Sequence, residues 1–345
     1  AAHHRWPRQS SYLSGRRFCQ SLAARLKFLM QPLQFVAIGE CMLEVQANGF
    51  GPSVLSYGGD TFNTAVYLSR CAASSQIEVS YATGLGTDHL SQTLRKEWKD
   101  LGLNLNAVEY IEGRLPGMYL IETDSKGERT FHFWRENSAA RAYFQASVTA
   151  LEKNLNQFDC LYFSGISLAI LDVASRTRLF ALLKQAQLNG SRVVFDNNYR
   201  PKLWPDRKMA QEVYLQAFAA CHTAMLTLDD HQAVFECASL DDALVHAKKL
   251  AIPEVVIKRG ANDTLVRQEN TSEWHSIPTQ SVNQVIDTTA AGDSFAAGYL
   301  SRRLCGASAE IAAAFGNALA ARVIQHRGAL IPLEALEDLI KSPAD

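Results

Sequence analysis

Short apolar runs alternate with amphipathic stretches along most of the chain, beginning near residue 30. The apolar runs have the length of buried strands, and the stretches between them repeat apolar residues at the spacing of a helix face. The predicted strands are Phe35–Ile38, Val79–Ala82, Cys160–Phe163, Val193–Phe195, Ala224–Leu226, Glu254–Ile257 and Thr264–Arg267. The predicted helices include Ser91–Leu101, Asp172–Asn189, Asp206–Ala219, Leu240–Leu250 and Ser308–His326. This alternation is typical of βαβ units and predicts an α/β fold, with helices flanking a mostly parallel central sheet.

One segment departs from this rhythm. Met118–Thr123 and Arg129–Arg135 are strand-like and are joined by Asp124-Ser125-Lys126-Gly127, which predicts a β-hairpin. Alternation along its second strand places Phe131, Phe133 and Arg135 on one face, and Thr130, His132 and Trp134 on the other. Because both faces carry large apolar groups, we expect a small β-sheet lid, contributed by about 43–57 and 108–136. It would cover a substrate on one face and a second copy of the chain, in a dimer, on the other. A hairpin packed on its own domain is the alternative.

Residues 1–29 differ from the rest of the chain because they contain several basic residues and no acidic residue. The first methionine is Met30, immediately before the first predicted strand. An Arg- and Ser-rich stretch without acids could be an organellar transit peptide. We favour a leader or non-native extension outside the fold, followed by a single domain over 30–345.

Composition excludes several classes of protein. The 345 residues are 47% apolar and 20% charged, with a net charge of −1 and no long basic stripe, so nucleic-acid binding is not expected. No apolar run approaches the ~20 residues that span a bilayer. The seven cysteines form no CxxC pair, which argues against a disulfide framework or zinc site and favours a reducing compartment, the cytoplasm.

The most informative stretch is Asp287-Thr288-Thr289-Ala290-Ala291-Gly292-Asp293, which precedes an apolar-periodic helix. Unpaired backbone N–H groups and a positive dipole make such a helix start a site for phosphate. Small side chains at Ala290, Ala291 and Gly292 would let a γ-phosphate approach the backbone. Asp293 could then take the proton of an attacking hydroxyl. A small-residue helix start with a capping aspartate is the alternative reading.

A second motif, Tyr57-Gly58-Gly59-Asp60-Thr61-Phe62-Asn63, runs into another helical pattern. Paired glycines bring the backbone close to a ligand, while Asp60 and Asn63 offer a carboxylate and an amide to hydroxyl groups. By itself the motif is equally a capped helix start.

Together these motifs resemble the D-T-x-G-A-G-D and G-G-x-x-x-N signatures of the ribokinase-like (PfkB) carbohydrate kinases. The resemblance implies that Asp293 is the catalytic base and that Ala290, Ala291 and Gly292 form an anion hole. It also implies that Gly58, Gly59, Asp60 and Asn63 bind the sugar. Alanine replaces the family's first glycine at position 290, which would be strained if its φ is positive.

Sequence strings between about 35 and 332, among them RLPGMYLIETDSKGERTFHFWR and FDNNYRPKLW, resemble the branch of this family that phosphorylates 2-keto-3-deoxygluconate. There the resemblance places Tyr119, Phe133, Arg135 and Arg200 on the keto acid, with Arg200 near its carboxylate. A guanidinium binds a carboxylate through two parallel hydrogen bonds, so an arginine pair facing the pocket would select an acidic sugar.

For the nucleotide and metals, the resemblance implies three further groups of residues. It implies ATP contacts at Asn198, Thr227, Lys258, Arg259, Gly260 and Asn317. Asp230 stands where the family has a glutamate linked to Mg²⁺, and Asp287 and Thr289 resemble the family's monovalent-cation loop, which leaves K⁺ dependence open.

The expected function is therefore ATP- and Mg²⁺-dependent phosphorylation of 2-keto-3-deoxygluconate at its terminal hydroxyl. A kinase of the same family acting on fructose, another neutral sugar or a nucleoside is the alternative. The arginine pair argues against it, because a neutral acceptor would leave two pocket cations unpaired. A catalytically silent sugar-binding regulator is the remote alternative, against which the intact Asp293 motif argues.

Overall fold

The chain folds around an eight-stranded sheet and a second, four-stranded sheet. The structure, a computed structural model, describes residues 31–47, 51–73, 76–123 and 129–341. The predicted leader at 1–29 and the hairpin turn at 124–127 lie outside these described residues. Within them the strands are β1 (Leu33–Ile38), β2 (Met42–Ala47), β3 (Ser53–Gly58), β4 (Ile77–Ala82), β5 (Gly84–Leu85), β6 (Glu109–Tyr110), β7 (Met118–Thr123), β8 (Arg129–Trp134), β9 (Cys160–Ser164), β10 (Arg192–Asp196), β11 (Thr223–Thr227), β12 (Glu254–Arg259), β13 (Asn262–Arg267) and β14 (His275–Ile277).

Within the described residues, α-helices lie in six of the thirteen connections between consecutive strands. The helices are α1 (Asp60–Cys71), α2 (His89–Asp100), α3 (Ala150–Lys153), α4 (Gly165–Ala169), α5 (Val173–Leu188), α6 (Arg207–Ala219), α7 (Leu228–Phe235), α8 (Leu240–Lys248), α9 (Ala291–Arg303), α10 (Ala309–Val323) and α11 (Glu337–Lys341). Short 3-10 helices lie at Ala140–Gln145, Leu155–Gln157, Pro201–Leu203 and Leu333–Leu336. No helix of the described residues combines the length and the apolar character needed to cross a membrane.

The large sheet has the strand order β14-β13-β12-β11-β10-β9-β1-β4. The neighbours from β4 to β12 are parallel, whereas β13 and β14 add antiparallel strands at one edge. This confirms the predicted mostly parallel α/β sheet. The antiparallel edge follows from Gly260, which has φ of +61° in the tight turn between β12 and β13.

Parallel strands are buried on both faces, which explains why their sequences read as continuous apolar runs. In β1, Val36 and Ile38 enter one hydrophobic cluster, while Phe35 and Ala37 enter the cluster on the opposite side of the sheet. All four side chains are at most 3% exposed. Period-two alternation within a single strand therefore supplies both layers of the core.

The smaller sheet, which we call the lid sheet, has the order β3-β2-β7-β8. Strands β2 and β7 are parallel, and the outer pairs are antiparallel. The register aligns Glu44, Tyr119 and Phe133 across three neighbouring strands, so these side chains share one face. We call this the inner face of the lid sheet, and the face that carries Leu55 and Trp134 the outer face.

The carboxyl ends of the parallel strands position the polar residues of the fold. Ser164, the last residue of β9, pairs with Asp196 at the end of β10, and Thr227 of β11 pairs with Lys258 of β12. Helix α9 packs against both α1 and α10. Crevices at the carboxyl ends of such sheets are the usual place for ligands in α/β proteins.

Candidate active site

Helix α9 begins at Ala291, and its N-cap residue is Ala290 with φ of +61° and ψ of 14°. This is the left-handed region, where a Cβ atom costs roughly 1–2 kcal/mol. The strain foreseen for alanine in place of glycine is therefore present. The turn leaves the first backbone N–H groups of α9 without intrahelical partners, close to the carboxylate of Asp293.

The loop before this turn is held by the side chain of Asp287. Its Oδ1 accepts hydrogen bonds from the backbone nitrogen (3.0 Å) and the hydroxyl (2.7 Å) of Thr289. Its Oδ2 accepts one from the backbone nitrogen of Gly328 at 3.2 Å. The two residues predicted to hold a monovalent cation thus contact each other and anchor the loop to the segment after α10.

The sugar motif at the start of α1 meets the α9 motif through Asn63. Its Nδ2 donates a hydrogen bond to Oδ2 of Asp293 at 2.8 Å. The turn before α1 needs Gly59, because a Cβ atom there would lie 2.1 Å from the carbonyl oxygen of Glu40. The hydroxyl of Thr64 adds a bond of 3.3 Å to the backbone carbonyl of Asp293. Two motifs from opposite ends of the chain therefore form one site.

The carboxyl of Asp293 is poised to accept a proton near neutral pH. Burial, and then the charge of Asp60, raise its pKa to about 8, whereas Asn63 and Lys258 act in the opposite direction. Burial also raises the pKa of Asp60. Oδ2 of Asp60 accepts a 2.6 Å hydrogen bond from Nδ2 of Asn198. Asn198, predicted to contact ATP, therefore supports the sugar motif in the structure.

A lysine lies beside the predicted anion hole. Nζ of Lys258 donates to Oδ2 of Asp196 at 2.7 Å, and both side chains are nearly buried. The same Nζ lies 3.5 Å from the point where a Cβ atom on Gly292 would be. Gly292 thus keeps the space in front of the ammonium group open, and a phosphoryl group at the start of α9 would lie close to this cation.

The remaining residues predicted to contact ATP lie in ordered surroundings. The side chain of Asn197 forms two hydrogen bonds with the backbone of Thr227. Its Oδ1 accepts from the Thr227 nitrogen at 2.8 Å, and its Nδ2 donates to the Thr227 carbonyl oxygen at 3.0 Å. Nε of Arg259 donates to the carbonyl of Asp263 within the β12–β13 hairpin. Asn317 is buried, accepts a bond from Thr264 and donates to the carbonyls of Ile277 and Pro278. Arg259 and Asn317 therefore stabilise the β13–β14 edge in this structure.

The two arginines predicted to bind the acid end of the substrate both have acidic partners within the chain. Arg135 is 5% exposed, and its guanidinium forms a buried ion pair with Glu40. Nη1 of Arg200 lies 3.6 Å from Oδ2 of Asp230, and 53% of its side chain is exposed. The premise that a neutral sugar would leave two pocket cations unpaired is therefore wrong. A buried guanidinium without a counter-ion would cost too much free energy, so the fold supplies one itself.

The inner face of the lid sheet forms an aromatic wall. The ring centroid of Tyr119 lies 5.7 Å from that of Phe133 and 6.4 Å from that of Phe131. The Tyr119 hydroxyl donates a hydrogen bond to Glu44, which also accepts one from Ser56 at 3.1 Å. Burial, followed by the charge of Glu44, raises the pKa of the Tyr119 hydroxyl. Tyr119 therefore stays protonated and fixed in orientation.

Comparison with known proteins decides the family. Residues 34–336 match the family described as pfkB family carbohydrate kinase. The chain belongs to the pfkB family of carbohydrate kinases. Its similarity to 2-dehydro-3-deoxygluconokinase of Dickeya dadantii is 45% identity over 302 residues, covering 87% of this chain and 97% of that protein. Its similarity to a fructokinase of Salmonella typhimurium is 25% identity over 268 residues, covering 76% and 82%.

The fold of this pfkB-family kinase is also that of solved relatives. The crystal structure of 2-dehydro-3-deoxygluconokinase from Thermotoga maritima superposes with a TM-score of 0.77 at 21% sequence identity. The match covers 90% of this chain and 99% of that chain. The ribokinase-like fold with a smaller second sheet, expected from the sequence motifs, is thus confirmed.

Several residues of the site were not identified by the sequence motifs. Asp196 pairs with Lys258, Glu40 pairs with Arg135, and Glu44 fixes Tyr119. The available signal was an acidic residue within or at the end of a predicted buried strand, since such a carboxylate requires a cation or hydrogen-bond donors nearby. Which partner each acid finds is decided by strands that are distant in the sequence.

The residues near the nucleotide side fit a magnesium ion carried by ATP. Nucleotide-bound Mg²⁺ takes one or two protein carboxylates together with phosphate oxygens and water. Asp230 offers one carboxylate, which is 22% exposed and accepts a 3.1 Å hydrogen bond from the backbone nitrogen of Tyr199. Among the described residues no group of three or more acidic, histidine or cysteine side chains forms an all-protein metal site. A metal shared with the nucleotide agrees with this arrangement.

Proposed function

We propose that this pfkB-family kinase transfers the γ-phosphoryl group of ATP to the terminal hydroxyl of 2-keto-3-deoxy-D-gluconate. The products are ADP and 2-keto-3-deoxy-6-phosphogluconate. The observation that carries the proposal is the nearly full-length 45% identity to a 2-dehydro-3-deoxygluconokinase, against 25% to a fructokinase. This gap disfavours the neutral-sugar alternative, and it replaces the argument from unpaired arginines.

The reaction follows from the contacts of Asp293. Its carboxylate accepts the proton of the sugar hydroxyl while the hydroxyl oxygen forms a bond to the γ-phosphorus and the bond to ADP breaks. Asn63 donates to Oδ2 and thereby fixes the direction of the carboxylate. Backbone N–H groups of Ala291 and Gly292, together with Lys258, stabilise the charge on the transferring oxygens.

The sugar is held between α1 and the lid sheet. Asp60 accepts hydrogen bonds from its hydroxyl groups, and Asn63 donates hydrogen bonds to them. Phe133 and Tyr119 cover its carbon chain. Arg200 binds the carboxylate and is well suited to do so, because its side chain is half exposed and its ion pair with Asp230 is loose. Arg135, held by Glu40, directs its remaining N–H groups towards the same end of the sugar.

Two cations complete the proposal. Asp230 would hold Mg²⁺ together with the nucleotide, and the ion would supply charge neutralisation at the phosphates of ATP. The loop that contains Asp287 and Thr289 is the candidate site for K⁺. Its role would be to set the conformation of the α9 turn.

The outer face of the lid sheet is the proposed dimer contact. Leu55 and Trp134 lie on this face and are 56% and 53% exposed. Exposed apolar groups on the lid sheet are costly in water and are covered when two lids meet. The dimer would hold the inner faces over two separate sugar sites.

The deciding experiment is coupled ADP release from MgATP with 2-keto-3-deoxygluconate, fructose, ribose, adenosine and gluconate as acceptors. Turnover with the keto acid at a kcat/KM at least tenfold above that of any other acceptor is expected. Preference for a neutral sugar or nucleoside would overturn the substrate while leaving the family intact. Saturable binding of ATP and keto acid without product would instead indicate a silent regulator.

A further inference from the structure

A cavity of about 530 Å³ lies along one face of α2, outside the active site. Its lining residues are Gly86, Thr87, Gln92, Arg95, Lys96, Lys99 and Tyr110. Four of these, at positions 92, 95, 96 and 99, have the spacing of a single helix face. We call this space the α2 cavity. Its volume lies within the roughly 300–1,000 Å³ of small-molecule sites.

The α2 cavity is strongly positive. Arg95, Lys96 and Lys99 line it, no acidic side chain does, and none of the three forms an ion pair with another described residue. Like charges at i,i+3 and i,i+4 positions destabilise a helix. A bound anion would remove this repulsion.

Arg95 differs from Lys96 and Lys99, which are exposed, because its side chain is partly buried. Its guanidinium stacks over the ring of Tyr110 at 4.3 Å. Its Nε is buried and has no hydrogen-bond partner within the part of the chain that the structure describes. An anionic acceptor in the cavity would satisfy this buried donor, which otherwise lowers the stability of the fold.

We propose that the α2 cavity binds a phosphorylated small molecule through its phosphate monoester group. A doubly charged phosphate matches the cluster of three cations better than a single carboxylate does, and the planar guanidinium of Arg95 suits its oxygens. Sugar phosphates and mononucleotides share this group and are both of a size that fits the cavity. The proposal does not depend on which sugar the active site phosphorylates.

Helix α2, which lines the cavity, also contacts the helix that carries the sugar motif. Trp98, which is fully buried on α2, packs its ring 5.0 Å from that of Phe62 in α1 and 5.5 Å from that of Tyr81. Phe62 lies between the sugar-motif residues Asp60 and Asn63. Occupation of the cavity is therefore expected to change the KM for the sugar by about five- to tenfold, at the lower end of the usual range of coupling between sites.

Isothermal titration tests the proposal on the full chain with its nucleotide site saturated by AMP-PNP and Mg²⁺. The probes are 6-phosphogluconate, AMP and, as the phosphate-free control, gluconate. We expect one additional equivalent of at least one phosphate ester to bind, and gluconate to give no such signal. The Lys96→Ala/Lys99→Ala variant should bind at least tenfold more weakly. The matched control, Lys184→Ala/Lys208→Ala, removes two exposed lysines elsewhere and should bind as the wild type does.

Absence of binding by both esters at millimolar concentration would overturn the proposal, as would equal binding by the two double variants. Equal binding of gluconate would overturn the assignment to phosphate. The Lys96→Gln/Lys99→Gln variant, which keeps the side-chain length and hydrogen-bonding groups, separates loss of charge from loss of fold. It should unfold at the wild-type temperature or above and still lose the phosphate ester.

Discussion

The side-chain nitrogen of Asn63 lies 2.8 Å from Oδ2 of Asp293, although 230 positions separate the two residues in the chain. This bond joins the first turn of α1 to the first turn of α9. It joins the proposed catalytic base to the helix that is proposed to hold the sugar. A change in the packing of α1 on α9 is therefore expected to change both sugar affinity and the orientation of this carboxylate.

The pH dependence of kcat/KM should report the ionisation of Asp293. Because its pKa is about 8 and the base must be ionised, kcat/KM should rise with pH and level off above about 8. Lys258 lowers this pKa, so Lys258→Met should move the acid limb upwards by about one pH unit. Fixed-time assays of ADP release from pH 5.5 to 9.5 measure this shift of the acid limb. Lys249→Met, an exposed control, should leave the limb unchanged, and a downward shift in Lys258→Met would contradict the assignment.

Replacement of Asp293 by asparagine should abolish turnover while stabilising the fold. Turnover should fall by about 10²–10⁴-fold or more, because no other described carboxylate is held in this position. The folded pKa lies above the unfolded value, so the folded wild type binds more protons and loses stability as pH rises from about 4 to 8. Asparagine does not titrate. The free energy of unfolding of Asp293→Asn should therefore exceed that of the wild type at pH 8.

Urea unfolding at pH 5, 6.5 and 8 measures this difference, which should grow by up to about 1.4 kcal/mol per pH unit. Asp241→Asn, at an exposed helix start, is the control and should keep full turnover. A stability difference independent of pH would show that Asp293 titrates normally and is not the poised base.

Two neighbouring alanine-to-glycine changes should have opposite effects on stability. Ala290→Gly removes a Cβ atom from a residue with φ of +61° and should raise the free energy of unfolding by about 0.5–1 kcal/mol. Ala291→Gly, at the first position of α9, should lower it by about 0.5–1 kcal/mol. Chemical denaturation of both variants decides the matter. Destabilisation of equal size by the two changes would mean that Ala290 is not strained.

Replacement of Arg135 and replacement of Arg200 should affect stability and substrate binding to different extents. Arg135→Ala leaves the buried Glu40 without its partner and should cost about 3–5 kcal/mol of stability. Arg200→Ala should cost less than about 1 kcal/mol, because its ion pair is half exposed, but should raise the KM for the keto acid at least tenfold. Thermal unfolding and steady-state kinetics measure the two effects.

The double variant Glu40→Leu/Arg135→Met tests the role of Arg135 without an orphaned charge. It should recover most of the stability lost in Arg135→Ala, and its KM for the keto acid should remain raised. A wild-type KM in this double variant would show that Arg135 has only a structural role.

A charge on the outer face of the lid sheet should dissociate the proposed dimer. Leu55→Asp places a carboxylate on this face, and sedimentation velocity should show the wild type as a dimer and the variant as a monomer. Leu215→Asp, a change at a similarly exposed leucine on α6, is the control and should remain dimeric. A monomeric wild type at micromolar concentration would remove the dimer from the proposal.

Much of the fold follows from local sequence patterns. The continuous apolar runs at Phe35–Ile38 and Val193–Phe195 predicted strands buried on both faces, and both lie within strands of the large sheet. A helix was predicted to begin at Ser308, and in the structure the Ser308 hydroxyl caps this helix by accepting the backbone N–H of Ile311. Periodicity and capping involve residues within a few positions of each other, so the sequence alone contains the information.

The helix starts that carry Asn63 and Asp293 could also be predicted, because their motifs combine small residues and polar side chains at fixed spacing before an apolar-periodic run. The sequence did not determine the counter-ions. Arg135 forms an ion pair with Glu40, Lys258 forms one with Asp196, and Asn198 donates a hydrogen bond to Asp60. Each of these partners comes from another strand or helix, and only the order of strands in the sheet brings them together. The same holds for the +61° φ of Ala290, because alanine by itself disfavours the left-handed region.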